Sequence, residues 1–245
     1  MVLLRAGLLC LLLLQVMPAK AEQQLHLVAN TWPPFNDISL PYNGVATDIV
    51  VSALARAGYA TRYSEVPWAR AIQGVERGIY DVLINAWYSQ PRTAFGDFSK
   101  PYMVNRVQFV KRRDAAINYQ RLSDLYPYRI ATIRGYTYTP AFDNDPQINR
   151  VEVVSFAIAA RMLHAGRVEL AVEDEIVVRY HLNRSLADIK EDLQFLSRPL
   201  SENGLHILVS LKHPQHRQIA QQFDEAIAAM KRDGSYERIL KRHGL

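Results

Sequence analysis

The chain has 245 residues and a formal net charge of +5, and its basic residues are scattered, with residues 111–113 (KRR) as the densest cluster. This pattern excludes a nucleic-acid partner, because proteins that bind nucleic acids concentrate lysine and arginine on one face. The single cysteine lies at position 10, so the remainder of the chain must depend on its hydrophobic core rather than on disulfide bonds.

Residues 1–21 have the layout of a secretory signal peptide. Arg5 supplies a positive charge, residues 8–16 form an apolar run, and residues 18–21 (PAKA) offer small side chains for a cleavage site. The apolar run is about half of the roughly 20 residues that a membrane-spanning helix needs, so an uncleaved anchor is the weaker interpretation. We expect cleavage after Ala21 and export to the periplasm.

Strand and helix patterns alternate along the rest of the chain. Between the first strand and the first helix, Pro33 and Pro34 exclude both a helix and a central strand. The predicted strands are residues 25–29, 61–66, 81–86, 106–111, 129–133, 151–154, 169–172 and 205–210. The predicted helices begin at Thr47–Asp48, Pro67, Ser155, Asp174, Pro214 and Ser235.

This alternation predicts an α/β protein with mainly parallel sheets, and the pattern restarts after residue 113. We therefore expect two lobes, the first formed by residues 22–110 and 206–245 and the second by residues 111–205. Residues 200–204 are predicted to form the loop that returns the chain to the first lobe. Ligands of open α/β sheets bind at the carboxyl ends of the strands, which places the predicted site in the cleft between the lobes.

Signals for catalysis are weak. The histidines are dispersed, and His213 and His216, three residues apart, have no acidic ligand beside them, so a solvated helix start is favoured over a metal site. No nucleotide-binding or hydrolase motif is present. We expect no metal, no cofactor and no enzymatic activity.

Two charged side chains suit the binding of a small zwitterion. Arg92 follows a predicted strand, and its guanidinium can bind a carboxylate through two parallel hydrogen bonds, although a surface salt bridge is an alternative. Asp174 ends a predicted strand and can bind an ammonium group, although it can also cap the following helix. Both roles of Asp174 can coexist.

Further candidates surround these charges. Tyr136 and Thr137 follow Gly135, where backbone amides can point at an anion, although simple turn formation is an equal alternative. Trp32 can form an apolar wall for a ligand or can simply pack, and Trp68 and Trp87 are more typical of core residues.

An ordered set of segments resembles the bacterial extracellular solute-binding proteins, family 3, the periplasmic components of ABC transporters for polar amino acids. Taken singly each segment is weak, but the set extends through essentially the whole chain after the leader. The segments are residues 44–50 (GVATDIV), 67–71 (PWARA), 91–92 (PR), 98–102 (FSKPY), 135–137 (GYT), 165–169 (AGRVE) with Asp174, and 233–236 (DGSY).

The resemblance implies a two-lobed type II periplasmic-binding-protein fold. It further implies that Arg92 binds the ligand α-carboxylate with help from Thr137, that Asp174 binds the α-amino group, and that Trp32 stacks on the ligand side chain. The chain departs from the family where small residues usually precede the arginine, since Asn85, Trp87 and Tyr88 lie there, and Tyr136 replaces a common serine. We expect these residues to reshape the pocket.

The leading hypothesis is therefore a monomeric periplasmic binding protein that captures an amino acid or related carboxylate by hinge closure and delivers it to an ABC permease. One alternative is a soluble sensor that reports a ligand to a membrane receptor. Another is a dehydratase of small carboxylates, for which Glu173 is the nearest general acid or base, although a solvated neighbour of the helix cap is the simpler interpretation of that residue.

Overall fold

The computed structural model describes residues 24–245. The predicted leader and its cleavage site after Ala21 lie outside the described residues. The strands are β1 (Gln24–Ala29), β2 (Ala60–Glu65), β3 (Val82–Trp87), β4 (Gly96–Phe98), β5 (Met103–Arg112), β6 (Arg129–Ile133), β7 (Asn149–Val153), β8 (Leu170–Asp174) and β9 (Leu193–Ser210). The helices are α1 (Val45–Arg56), α2 (Trp68–Arg77), α3 (Pro140–Asp143), α4 (Phe156–His164), α5 (Glu175–Leu182), α6 (His216–Arg232) and α7 (Ser235–Arg242).

The strands form one hydrogen-bonded sheet in the order β2-β1-β3-β9-β5-β8-β6-β7, and β4 also pairs with β9. Near one end β1 is parallel to β2 and β3, and near the other end β6 is parallel to β7 and β8. Between these groups, β5 and β9 run antiparallel to each other and to their outer neighbours. Two parallel α/β units are thus joined through two long shared strands.

The prediction that residues 200–204 form a loop is wrong, because these residues belong to β9. The pairs of β9 with β5 run from Met103 opposite Leu205 to Arg112 opposite Leu193, with register shifts near Gln108. Glycine, asparagine and serine are poor strand formers, but pairing along a neighbouring strand overrides that weak local preference.

Separate hydrophobic cores lie on the two faces of each unit. In β1, Leu25 and Leu27 pack against α1 and α6, whereas Val28 points to the opposite face and packs with α2, as strand alternation requires. In β5, Met103 belongs to the first-lobe core, whereas Phe109 packs in a core of the second lobe. Both β5 and β9 therefore pass from one core to the other.

The predicted starts of α1 and α6 are wrong by a few residues, since α6 begins at His216 rather than at Pro214. Helix α1 begins at Val45 with Gly44 as its cap residue, and Gly44 has φ of 94°. A side chain at Gly44 would place its Cβ 2.5 Å from the Phe35 carbonyl oxygen, so glycine is required there. Asp48, predicted to cap α1, instead binds Arg242 at 2.6 Å and His243 at 2.8 Å. Helix α7 is likewise capped by Gly234 rather than Ser235.

Tyr102, the last residue of the FSKPY segment, connects three parts of the first lobe. Its fully buried hydroxyl donates to the Ile84 carbonyl oxygen at 2.6 Å, and its own carbonyl oxygen accepts from the Tyr236 hydroxyl at 2.7 Å. Its ring lies edge-on to Phe223, with the ring centres 5.8 Å apart. Tyr102 therefore holds β3, the start of β5 and the C-terminal helices together.

We expect Tyr102→Phe to lower the free energy of unfolding by about 1–3 kcal/mol, because the buried Ile84 carbonyl oxygen would lose its donor. Urea unfolding followed by circular dichroism measures the change. Tyr42→Phe is the control, since Tyr42 is 56% exposed. Equal stability of the two variants would contradict the assigned role of the Tyr102 hydroxyl.

Candidate functional site

The predicted site residues follow strands whose carboxyl ends face the same region. Trp32 comes after β1, Trp87 ends β3, and Arg92 lies in a short 3-10 helix directly after β3. Thr137 lies in the loop after β6, and Asp174 ends β8. Carboxyl ends of parallel strands are the usual ligand sites of open α/β sheets, so the placement agrees with the general rule.

Arg92 has a guanidinium group that is half-buried and has no carboxylate partner among residues 24–245. Its Nη1 donates to the Trp87 carbonyl oxygen at 3.0 Å, and its guanidinium carbon lies 5.1 Å from the centre of the Trp68 ring. Loss of solvation through burial lowers the pKa of Arg92, although an arginine remains charged at neutral pH. The surface salt bridge considered from the sequence is not formed within the described chain, so the guanidinium is open to an external carboxylate.

Asp174 is the cap of α5 and is 1% exposed. Its Oδ1 accepts hydrogen bonds from the backbone amides of Ile176 at 2.8 Å and Val177 at 3.2 Å. Its Oδ2 accepts from Nδ2 of Asn105 at 3.1 Å. Burial raises the pKa of Asp174 to about 6, against the effect of these donors. The capping role is confirmed, and Oδ2 retains an acceptor position for an ammonium group.

Asn105 connects the two lobes, and the sequence did not single it out. It is fully buried in β5, and its Oδ1 accepts from Nε1 of Trp87 at 2.8 Å. An indole N–H can only donate, so it orients the amide of Asn105 with its NH₂ group toward Asp174. Asn105 lies just before the strand predicted at residues 106–111, so the sequence offered only a weak signal, a polar amide at the edge of an apolar segment.

Trp32 and Asn85 carry buried polar atoms with no partner among the described residues. Asn85 is 4% exposed, and it donates to Oδ1 of Asn30 at 2.9 Å while its own Oδ1 is unpaired. Trp32 packs against Phe35 and Trp87, with ring centres 4.4 and 6.1 Å away, and its Nε1 is unpaired. Buried polar atoms usually have hydrogen-bond partners, so both are candidate contacts for a bound solute.

The loop after β6 carries Tyr136 and Thr137, and the Tyr136 ring lies 6.3 Å from the ring of Tyr138. Tyr136 is 41% exposed over the whole residue, but burial of its hydroxyl end and the nearby Glu173 and Asp174 carboxyls raise its pKa. Gly135 adopts φ of 79° at the turn. Thr137 is exposed and makes no hydrogen bond with the described chain.

Glu173 is a second buried carboxyl group next to Asp174. It is 3% exposed, and its Oε1 accepts from the backbone amide of Asp174 at 2.8 Å. Burial raises the pKa of Glu173 to about 8, and the Asp174 carboxylate adds to this increase. No cation pairs with Glu173 among the described residues. Burial therefore favours the protonated form of Glu173, and the interpretation as a solvated neighbour is wrong because the side chain is buried.

Trp68 was expected in the core but is only partly buried. It begins α2 and lines a pocket of about 390 Å³ beside Glu65 at the end of β2.

Within residues 24–245, no group of three or more His, Cys, Asp or Glu side chains is placed to hold a metal ion. In the same part of the chain, none of the helices has the length and apolar character needed to cross a membrane.

We expect the thermal stability of the ligand-free protein to fall as the pH rises from about 4.5 to about 8 through Glu173. A carboxyl group whose pKa is raised in the folded state binds its proton more tightly there, so the proton stabilises the fold and its loss destabilises it. Glu173→Gln should be more stable than the wild type at pH 9 and should show a flatter pH dependence.

Melting temperatures between pH 5 and pH 9 measure this difference. Glu152→Gln, at an exposed position in β7, is the matched control and should follow the wild type. Parallel profiles of the wild type and Glu173→Gln would contradict a buried, protonated Glu173.

Comparison with known proteins supports the architecture and the family. The chain is 27% identical over 231 residues to "ABC transporter arginine-binding protein 1" of Escherichia coli (strain K12), and the match covers 90% of each chain. A crystal structure of a mutant of ArgBP from T. maritima has a TM-score of 0.70 at 21% identity, with 91% of this chain and 96% of that chain covered.

A crystal structure of a histidine kinase sensor domain with similarity to periplasmic binding proteins matches with a TM-score of 0.70 at 19% identity, covering 90% of this chain and 96% of that chain. These structures confirm the two-lobed type II fold. The model of the bacterial extracellular solute-binding proteins, family 3, matches residues 26–245. Its match extends from β1 to the last residue and includes both lobes and all the site residues described above, so the chain belongs to this family.

Proposed function

We propose that this protein is a periplasmic binding protein that captures a small zwitterion, most simply an α-amino acid, between its two lobes. The observation that carries the proposal is the unpaired guanidinium of Arg92 on the first lobe together with the buried carboxyl of Asp174 on the second. A carboxylate on Arg92 and an ammonium on Asp174 would complete both charge pairs at once.

The proposed ligand would contact Arg92 on the first lobe and Asp174 on the second, and such contacts lead to capture by hinge closure. A ligand that touches both lobes only in the closed state stabilises that state by its differential affinity. We place the hinge in residues 104–106 of β5 and 201–204 of β9, because Met103 and Leu205 pack in the first-lobe core and Val107 packs in a second-lobe core. The proposed hinge lies close to the boundaries near residues 110 and 205 that the sequence predicted.

The remaining candidate residues would shape the pocket. Trp32 and Trp87 supply aromatic walls, Asn85 offers an unpaired acceptor, and Tyr136 covers the second-lobe side. Thr137 would assist Arg92 at the ligand carboxylate only after the loop or the lobes move, because it now contacts none of the other candidates. These large side chains favour a ligand whose side chain can stack.

Delivery to an ABC permease in the inner membrane is the preferred outcome of capture, since the arginine-binding relative is named as part of an ABC transporter. We infer a cleaved leader, a periplasmic location and a monomer without enzymatic activity. Signalling to a membrane receptor is the second candidate, because a histidine kinase sensor domain shares the fold. Stimulation of a reconstituted permease ATPase by the loaded protein would favour transport.

Arg92→Ala should weaken amino-acid binding by about 2–5 kcal/mol, roughly thirtyfold or more, because the ligand carboxylate would be left without its partner in the closed cleft. The wild type is first screened by thermal shift against the standard L-amino acids, and calorimetry then compares the variants. Arg121→Ala is the control, since the Arg121 side chain is 82% exposed. Unchanged affinity in Arg92→Ala would remove Arg92 from the site, and no shift with any amino acid would reject the proposed ligand class.

Asp174→Asn separates capping from ammonium binding. Asparagine caps helices as well as aspartate, but its NH₂ group would then face the NH₂ group of Asn105, so we expect a folded variant with a modestly lower melting temperature. Its affinity for an α-amino acid should fall at least about tenfold. In the wild type, affinity should rise between pH 5 and pH 7, because burial raises the pKa of Asp174 to about 6 and only the ionised form attracts ammonium. Calorimetry across this pH range measures both effects, and retained affinity in the folded variant would contradict the role.

A further inference from the structure

The pocket beside Trp68 lies next to the proposed carboxylate site. Its volume is about 390 Å³, and it lies where β1 and β2 end and α2 begins. Trp68 belongs to this pocket and also carries the Arg92 guanidinium over its ring, 5.1 Å from the ring centre. The pocket is lined by Asn30, Thr31, Glu65, Val66, Pro67 and Trp68.

Glu65 supplies a negative charge to this pocket. Its Oε1 accepts from the Thr31 hydroxyl, and its Oε2 accepts from the Ile38 amide at 3.0 Å and from the Tyr63 hydroxyl at 3.5 Å. All these donors are neutral. Within residues 24–245, no lysine, arginine or histidine lies within ion-pair distance of the Glu65 carboxylate, which is half-buried.

Charge balance distinguishes Glu65 from Arg92 and Asp174. A bound zwitterion would neutralise Arg92 and Asp174 and would leave Glu65 without a partner. The adjacent indole ring of Trp68 already has the Arg92 guanidinium carbon 5.1 Å from its centre, which shows that its π system is placed to attract cationic groups. A carboxylate beside an aromatic face is a suitable environment for a cationic end group.

We propose that the pocket formed by Glu65 and Trp68 binds a cationic group at the end of the ligand side chain. The ligand is then a basic α-amino acid with a terminal guanidinium or ammonium group. Arg92 holds its carboxylate, Asp174 holds its α-ammonium, and Glu65 pairs with its side-chain cation. This assignment rests on the proposed function, since it takes the zwitterion site as given.

L-Arginine and L-citrulline are the probes, because they have nearly the same shape and differ in the charge of the terminal group. We expect calorimetry to show that the wild type binds L-arginine about ten- to a hundredfold more tightly than L-citrulline. Glu65→Gln should remove most of this preference while L-citrulline affinity stays within about threefold. Glu76→Gln, at an exposed position in the same helix as Trp68, is the control and should retain the preference.

Glu65 also accepts hydrogen bonds from Thr31 and Ile38, which flank the loop that carries Trp32. A second variant therefore separates the effect of the Glu65 charge from the effect of its contacts with this loop. Thr31→Val removes one neutral contact of Glu65 but keeps its charge, and it should retain the preference for L-arginine. Equal wild-type affinity for both probes, or a preference that survives in Glu65→Gln, would overturn the cation subsite alone. Equal weakening of both probes in Glu65→Gln would assign Glu65 to loop structure and would also overturn it. A wild type that binds no amino acid would reject the proposed function itself.

Discussion

The antiparallel pairing of β5 with β9 is the constraint on which the remaining structure depends. These two strands are the part of the sheet shared by both lobes: β3 and β4 attach to β9, and β8 attaches to β5. Each strand contributes side chains to a core at both ends. A change in the angle between the lobes must therefore twist the shared strands, while each core can remain packed. A cleft between rigid halves is suited to enclosing a ligand.

The pKa values of the two buried carboxyl groups of β8, Glu173 and Asp174, depend on the face of the strand that each side chain occupies. Glu173 and Asp174 are adjacent in β8, so their side chains point to opposite faces of the sheet. Burial raises the pKa of both groups, to about 6 for Asp174 and about 8 for Glu173, and the three amide donors to Asp174 limit its increase more than the single amide donor to Glu173 does. Burial therefore favours the protonated form of Glu173 more strongly than that of Asp174.

Trp87 shows how one side chain connects these features. It is one of the aromatic residues at which the sequence was expected to depart from the family pattern, and it packs on Trp32 while its indole N–H orients Asn105. Its carbonyl oxygen also accepts from Arg92. Trp87 therefore contacts both Arg92, the cationic side of the proposed site, and Asn105, which donates to Asp174 on the anionic side.

Local signals predicted the structure well where the deciding partners are close in sequence. Ser155 and Asp174 cap helices as expected, because a cap requires only backbone amides two or three residues away. The expected cap at Thr47–Asp48 was wrong, since Asp48 is drawn to Arg242 and His243 almost two hundred residues further along the chain. Residues 200–204 were likewise misjudged, because their strand conformation depends on pairing with β5.

The sequence by itself determined the alternation of strands and helices, the family and the main charged candidates, since each depends on residue type and spacing along the chain. Only the tertiary structure decided that Asn105 lies between Trp87 and Asp174, that Arg92 has no carboxylate partner in the described chain, and that Trp68 shares a pocket with Glu65. The physical reason is distance. These relationships join residues from different strands, and hydrogen bonding, burial and pairing of charges act only between groups that folding has brought into contact.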